Sequence, residues 1–375
     1  MMTPETEADL AEILAGARAS WRIQGGGTRD IGAPVEGEML SVAGLTGVTL
    51  YEPGALTLVA QAGTPLAEIE ALLASEGQRL AFEPSDFQTL LGGAGASTIG
   101  GVVASNSSGP RRIQAGAVRD HCLGVRFVDG CGRVIKNGGR VMKNVTGYDL
   151  VKLLCGSWGT LGVLSEVSLK VQALPEAEVT LVGKGLRDAE AVARLSVALG
   201  SPYDVTGAAC VGGETRVRVE GLAASVAYRA RALQQGVLRG FDLVEGEASS
   251  RRWEELRQVA PFADKPGAVW RISVKPSDGP VLVRALASIE PEVMYDWGGG
   301  LVWMRVDEGQ EAFASLIRSE VNRLGGHALL VRASAATRAK VPVFPPEPAP
   351  LAAISAALRK RFDPNGVLNS GLMGG

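Results

Sequence analysis

Two glycine-rich stretches constrain this chain more than any other feature. The first, Gln24-Gly25-Gly26-Gly27-Thr28, directly follows the apolar Trp21-Arg22-Ile23. The second runs Gly92-Gly93-Ala94-Gly95-Ala96-Ser97-Thr98-Ile99-Gly100-Gly101-Val102-Val103-Ala104-Ser105-Asn106. Glycines let backbone N–H groups turn toward an anion with no Cβ in the way. One such loop is often only a tight turn. Two of different pattern, joined by a strand-rich segment, point to a ligand that carries a pyrophosphate.

The usual folds for such ligands do not fit. A Rossmann fingerprint needs G-x-G-x-x-G between a strand and a helix, with an acid about 20 residues on. Here Gly25–Gly27 is followed by Thr28-Arg29-Asp30-Ile31-Gly32 and no helical run, and no Walker A lysine exists. The ligand class survives; the common NAD and ATP folds are excluded.

At 375 residues, 46% hydrophobic and 21% charged, the chain suits a soluble protein of two or three domains. The net charge of −2 leaves no overall nucleic-acid footprint. Residues 111–170 carry ten Lys/Arg against four Asp/Glu. That bias reads equally as solvated surface charge or as help for a diphosphate or an acidic partner. The four cysteines, Cys122, Cys131, Cys155 and Cys210, form no C-x-x-C, so neither an iron–sulfur nor a structural zinc site is expected. With an acidic Met1–Asp9 and no export signal, they suggest a reducing cytoplasm. The longest uncharged run, Phe87–Pro110, is too rich in Gly, Ser and Asn for a bilayer span and reads as a ligand loop plus a buried helix.

Apolar spacing over Pro4–Ala19 predicts a helix. Strands are expected at Trp21–Gln24, Met39–Val42, Val48–Tyr51 and Leu56–Gln61. A helix through Ser75 follows, with Thr64 as N-cap, Pro65 at N1 and Gly77 closing it. Further on, Thr98–Ala104 opens a helix, and Asp129-Gly130-Cys131-Gly132 turns a hairpin between Val125–Val128 and Arg133–Lys136. Leu150–Leu154 reads as helix and Leu164–Val171 as an alternating strand; a boundary fits near Pro175. Residues 176–333 then repeat one order twice. Val179–Gly183, Arg187–Leu199, Val205–Val211, Thr215–Glu220, Ser225–Gln235 and Phe241–Glu245 are matched by Val269–Val274, Val281–Ser288, Val293–Asp296, Leu301–Val306, Glu311–Leu324 and Ala328–Arg332. Two βαββαβ units suggest duplicated split-βαβ, ferredoxin-like modules with antiparallel sheets. A linker with five prolines, Pro342–Pro350, leads to a helix at Leu351–Phe362 and a tail expected to dock back on the body.

Five segments resemble the vanillyl-alcohol oxidase / p-cresol methylhydroxylase (PCMH) type of FAD-binding flavoprotein. They are Gln24–Thr28; Pro84-Ser85-Asp86 with Ser97–Gly101; Lys143-Asn144-Val145-Thr146-Gly147-Tyr148-Asp149-Leu150; Gly156–Glu166; and Asp363-Pro364-Asn365-Gly366-Val367-Leu368-Asn369. Tyr295-Asp296-Trp297-Gly298-Gly299 and Gly325-Gly326-His327-Ala328 resemble the smaller flavin (E) subunits of glycolate oxidase. The resemblance implies an α+β protein. Residues 1–174 would form a PCMH-type FAD domain of two α/β subdomains, residues 175–340 a cap or substrate domain, and residues 341–375 a helix and tail returning to the FAD domain. It implies that Gly25, Gly26, Gly27 and Thr28 bind the pyrophosphate, and that Pro84, Ser97, Thr98, Ile99, Gly100, Gly101, Ser105, Asn106 and Gly109 surround it and the isoalloxazine. Gly162 and Val163 would lie at the adenine–ribose side, and Asn369 would approach from the tail.

Only His121 and His327 exist, and neither lies in the first loop, so FAD is expected to be non-covalent and no metal is expected. Catalytic residues are left unknown. His327 is the best available base and Arg332 the best carboxylate anchor, each against a structural reading. Tyr148 reads as a flavin or substrate contact or as a packed tyrosine. The resemblance implies a complex that oxidises glycolate or D-lactate to the 2-keto acid, with a larger flavin subunit and an iron–sulfur subunit as partners. No nucleic acid is involved, the location is cytoplasmic, and the membrane is reached only through the complex. A stand-alone FAD dehydrogenase and a non-catalytic assembly subunit are the alternatives.

Overall fold

A computed structural model describes residues 1–141 and 147–374. Part of the Lys143–Leu150 segment therefore lies outside the described residues. The chain divides into two compact units. The first holds Met1–Ser108, Gly116–Ala173 and Pro346–Gly375; the second holds Gly109–Ala115 and Leu174–Pro345.

In the first unit, β1 (Trp21–Gln24) and β2 (Glu38–Ser41) form a small parallel pair. β3 (Val48–Glu52), β4 (Thr57–Gln61), β5 (Gln78–Leu80), β6 (Cys122–Val128), β7 (Val134–Gly138) and β8 (Val163–Ala173) form an antiparallel sheet in the order β3-β4-β8-β6-β7, with β5 added on β8. The long β8 alternates apolar residues, and Val167, Leu169 and Val171 are fully buried against Leu58, Ala60, Phe127 and the helix face of Ile69 and Leu73. A second cluster, including Leu10, Leu14, Leu40, Val163, Val367 and Leu368, ties the N-terminal helix Glu7–Ala15 and the tail to the same unit. The β6–β7 turn is held by Asp129, whose Oδ1 accepts from Cys131 N and Arg133 N while Oδ2 accepts from Arg133 Nε.

One cap differs from the sequence reading. The helix Leu66–Ser75 is capped by Pro65, and Thr64 does not cap it. The Thr64 hydroxyl instead accepts from Gly47 N at 3.0 Å and donates to Gln61 O at 2.7 Å. The reason is tertiary: Leu66 N already donates to Ser97 O, so the second glycine stretch satisfies the helix start.

The second unit is one eight-stranded antiparallel sheet. β9 (Ala177–Lys184), β10 (Val205–Val211), β11 (Glu214–Gly221) and β12 (Asp242–Glu245) come from the first module. β13 (Ala268–Ser273), β14 (Glu292–Asp296), β15 (Leu301–Val306) and β16 (His327–Arg332) come from the second. The order is β12-β9-β11-β10-β14-β15-β13-β16. Each module supplies the same internal order, reversed across the β10–β14 seam, where Cys210 pairs with Tyr295. Helices Asp188–Leu199 and Ala223–Gln235 cover the first module, and Ala314–Arg323 packs on β16 in the second. The helix Gly246–Arg257, between the modules, has no counterpart in the sequence reading.

Candidate functional site

The two glycine stretches lie against each other, backbone to backbone. A Cβ on Gly26 would sit 1.5 Å from Ala96 O, and one on Gly95 would sit 1.8 Å from Gly26 O. Only glycine permits that approach, so these positions are required for joining the loops, beyond freeing N–H groups. Thr98 caps the following helix, Ile99–Ser105, by accepting from Gly101 N at 3.3 Å.

Beside the joined loops opens a cleft whose free volume, mouth included, is about 630 Å³. Of the residues expected to contact the cofactor, Gly25, Gly100, Gly101, Ser105, Gly162, Val163 and Asn369 line it. Gly26, Gly27, Thr28, Pro84, Ser97, Thr98, Ile99 and Asn106 do not line it. Thr28, Pro84, Ser97, Thr98 and Ile99 are buried. Gly109 falls in the second unit, where its carbonyl accepts from Trp297 Nε1 at 3.1 Å. The wall also includes Ala62, Ala104 and Trp158, apolar surface of the kind a flat aromatic ring needs.

The tail completes this wall. Trp21 N donates to Val367 O and Asn369 N donates to Trp21 O, so the tail adds to β1 as a short bridge. Asn369 Oδ1 accepts from Ile23 N at 2.7 Å, and its Nδ2 donates to Trp158 O at 2.9 Å. Asn369 and Trp158 both hold positive φ, at 43° and 55°. Left-handed backbone at a tryptophan costs on the order of 1–3 kcal/mol and persists only where its surroundings fix it; the Asn369 amide is one such tie.

Arg29 is the residue the sequence reading missed. It lies just past the first loop, and its guanidinium folds back onto the second. Nη1 donates to Ser97 Oγ at 2.8 Å and to Thr28 Oγ1 at 3.2 Å, and Nη2 donates to Ser85 O. Its Nε is buried without a hydrogen-bond partner. Burial pulls its pKa down to about 10, with Asp86 acting in the opposite direction. The anionic, ring-bearing FAD fits this cleft: it offers an acceptor for the orphaned donor, glycine-bounded backbone beside it, and an apolar slot for the ring.

The second unit holds a separate cationic cluster. Arg112 and Arg271 each lie 5.0 Å from the centre of the Trp297 ring. Trp297 is buried, and its backbone N–H donates to Asp296 Oδ1 at 2.7 Å. Arg271 sits on β13 opposite Leu329, and Ser273 on the same face lies opposite His327. Among the described residues the Arg271 guanidinium makes no hydrogen bond. Its pKa falls to about 10 through burial first and the Arg112 charge second, with Asp296 opposing. His327 is held below its ordinary value by partial burial and then by Arg271 and Arg112, so it is neutral at neutral pH.

The remaining candidates sit elsewhere. Arg332 donates to the carbonyls of Gly267, Phe262, Ala263 and Lys265, fixing the loop before β13. Tyr148 is 88% exposed. His121 is buried, its ring 5.9 Å from that of Phe82. Among the described residues no group of His, Cys, Asp and Glu could hold a metal ion, and no helix is long and apolar enough to cross a membrane.

Fold and cleft together define an FAD-binding oxidoreductase of the PCMH type. A family model described as an FAD binding domain matches residues 1–138. A solved alkyldihydroxyacetonephosphate synthase has the same fold, with a TM-score of 0.69 over 98% of this chain and 76% of that one, at 16% identity. The chain is 37% identical over 353 residues to glycolate oxidase subunit GlcE of Escherichia coli, covering 94% of this chain and 91% of that one. It is also 35% identical over 127 residues to glycolate oxidase subunit GlcD of Bacillus subtilis, covering 34% of this chain and 26% of that one. The chain belongs to the glycolate oxidase E-subunit family.

Proposed function

We propose that this protein is the smaller FAD-bearing subunit of a complex that oxidises glycolate or D-lactate to the 2-keto acid. Electrons would leave through a partner iron–sulfur subunit, beside a larger flavin subunit. The carrying observation is the tail-closed cleft, in which Asn369 ties Ile23 to Trp158 in a chain that matches GlcE along nearly its whole length. Bound FAD supplies a two-electron acceptor. The cleft residues would position it, with Gly25, Gly100, Gly101, Ser105 and Asn369 as contacts and without a covalent tether.

The Arg112–Arg271 cluster supports a carboxylate-bearing substrate. An anion close to two guanidiniums that repel each other stabilises both, and arginine suits a carboxylate. Arg271 thus replaces Arg332 as the anchor, since four carbonyls already engage Arg332. Were the chain to reduce its own flavin, neutral His327, on the Ser273 side of the same sheet face, would be the group to accept the hydroxyl proton.

The test is the visible spectrum of the purified chain with FAD, before and after anaerobic glycolate. The expected result is a flavin spectrum that persists with the chain alone and bleaches once the partner subunits are added. Absence of flavin bands after FAD addition would remove the flavin reading and leave an assembly role. Rapid bleaching by the chain alone would favour a stand-alone dehydrogenase.

A further inference from the structure

We propose that Arg29 is a charge-neutralising anchor for the diphosphate of the bound dinucleotide, and that it sets the affinity of this chain for FAD. The inference rests on the flavin reading and assigns a role to one residue within it.

Arg29 is placed by the fold and held in one pose. Its Nη atoms are committed to Thr28, Ser97 and Ser85, groups from both glycine stretches and the loop between them. Those bonds fix the guanidinium plane, and Nε–H stays buried without a partner. An orphaned, buried N–H on a cation is costly unless something accepts from it. Arg29 lines the same cleft as Gly25 and Gly101, the glycine-bounded backbone of the two joined loops. Burial depresses the guanidinium's pKa to about 10, with Asp86 acting in the opposite direction, so a further acceptor of negative charge would favour its charged form. A diphosphate is the anionic part of FAD and offers several acceptor oxygens; riboflavin carries no such group. Hydroxyls alone would leave that charge unbalanced, whereas a planar cation matches phosphate oxygens well.

The experiment uses the full chain, stripped of flavin, and measures binding of FAD, ADP and riboflavin by equilibrium titration at several salt concentrations. The variants are Arg29→Gln and Arg29→Lys. Arg29→Gln is expected to weaken FAD and ADP by about ten- to a hundredfold. It should make FAD binding less sensitive to salt and leave riboflavin affinity unchanged. Arg29→Lys, which keeps the charge without the fork, should recover the salt dependence and part of the affinity. Equal losses for FAD and riboflavin would overturn the proposal and make Arg29 a scaffold residue, as would FAD affinity unchanged in Arg29→Gln. If Arg29→Gln does not fold, Arg29→Lys decides: wild-type riboflavin affinity with weakened ADP sustains the anchor, and any other pattern rejects it. Wild-type protein that binds none of the three ligands would instead strike down the flavin reading itself.

Discussion

The two modules of the second unit share one topology and use arginine in opposite ways. On the first module, buried arginines are fully engaged: Arg218 of β11, and Arg111 from the Gly109–Ala115 segment. Glu220 accepts from Arg111 Nη2 at 2.8 Å and Nε at 3.1 Å, and it lies 3.3 Å from Arg218 Nε. Arg218 also donates to Thr206 and lies 4.6 Å from the centre of the Trp253 ring. In the second module, Arg271 is on β13, the counterpart of β9 and not of Arg218's β11; it and Arg112 each lie 5.0 Å from the centre of the Trp297 ring, and Asp296 is the opposing charge. The shared topology therefore does not dictate the use of arginine; the local partners decide whether a buried cation is tied by hydrogen bonds or held by charge and ring contacts alone.

The sharpest way to break this comparison is Glu220→Ala. It removes the carboxylate shared by two buried guanidiniums, of which Arg218 keeps Glu178 at 3.9 Å, and should cost about 3–5 kcal/mol in urea unfolding. A loss below about 1 kcal/mol would show that water already compensates those arginines. Next comes Arg332→Met, which removes donors to four carbonyls and should destabilise by about 1–3 kcal/mol. It should leave carboxylate binding intact, as judged by oxalate titration of tryptophan fluorescence. Arg271→Met should do the reverse. Stability should change by less than about 1 kcal/mol, because no protein hydrogen bond is lost and a buried charge is removed, while the oxalate response should disappear. The smallest expected effect concerns pH. His327 titrates lower in the folded chain than its ordinary 6.5. The unfolded chain thus binds the proton first as pH falls, and stability declines below about pH 6.5 until the folded pKa is reached. His327→Asn should flatten that decline and match wild type above it, as read from unfolding midpoints across the range.

Much of the fold was legible. Alternation over 164–171 and the twice-repeated strand–helix order mark elements whose period is set by local geometry, and the structure has them as β8 and as the eight-stranded sheet. Gly77 ended its helix in the left-handed conformation, as its position suggests. Thr64 failed as a cap because a hydroxyl serves whichever partner is nearest, and Gly47 and Gln61 were nearer. The helix Gly246–Arg257 escaped notice since it interrupts the repeat and carries only a few buried residues.

Within the site, sequence alone determined the class of ligand, because two close-packed glycine stretches and the Asn369 tail are chemical patterns written in residue order. It could not select among arginines. Arg29, Arg112, Arg271 and Arg332 are alike as letters; what separates them is the number of acceptors that tertiary structure brings within reach. Arg332 found four carbonyls, Arg271 found another cation, a ring and the Asp296 charge, and Arg29 kept one buried N–H without a partner. Charge is a local property of the chain, but its compensation is a property of three-dimensional neighbours. The ligand's class was therefore fixed by order along the chain, and the groups available to hold it were fixed only by folding.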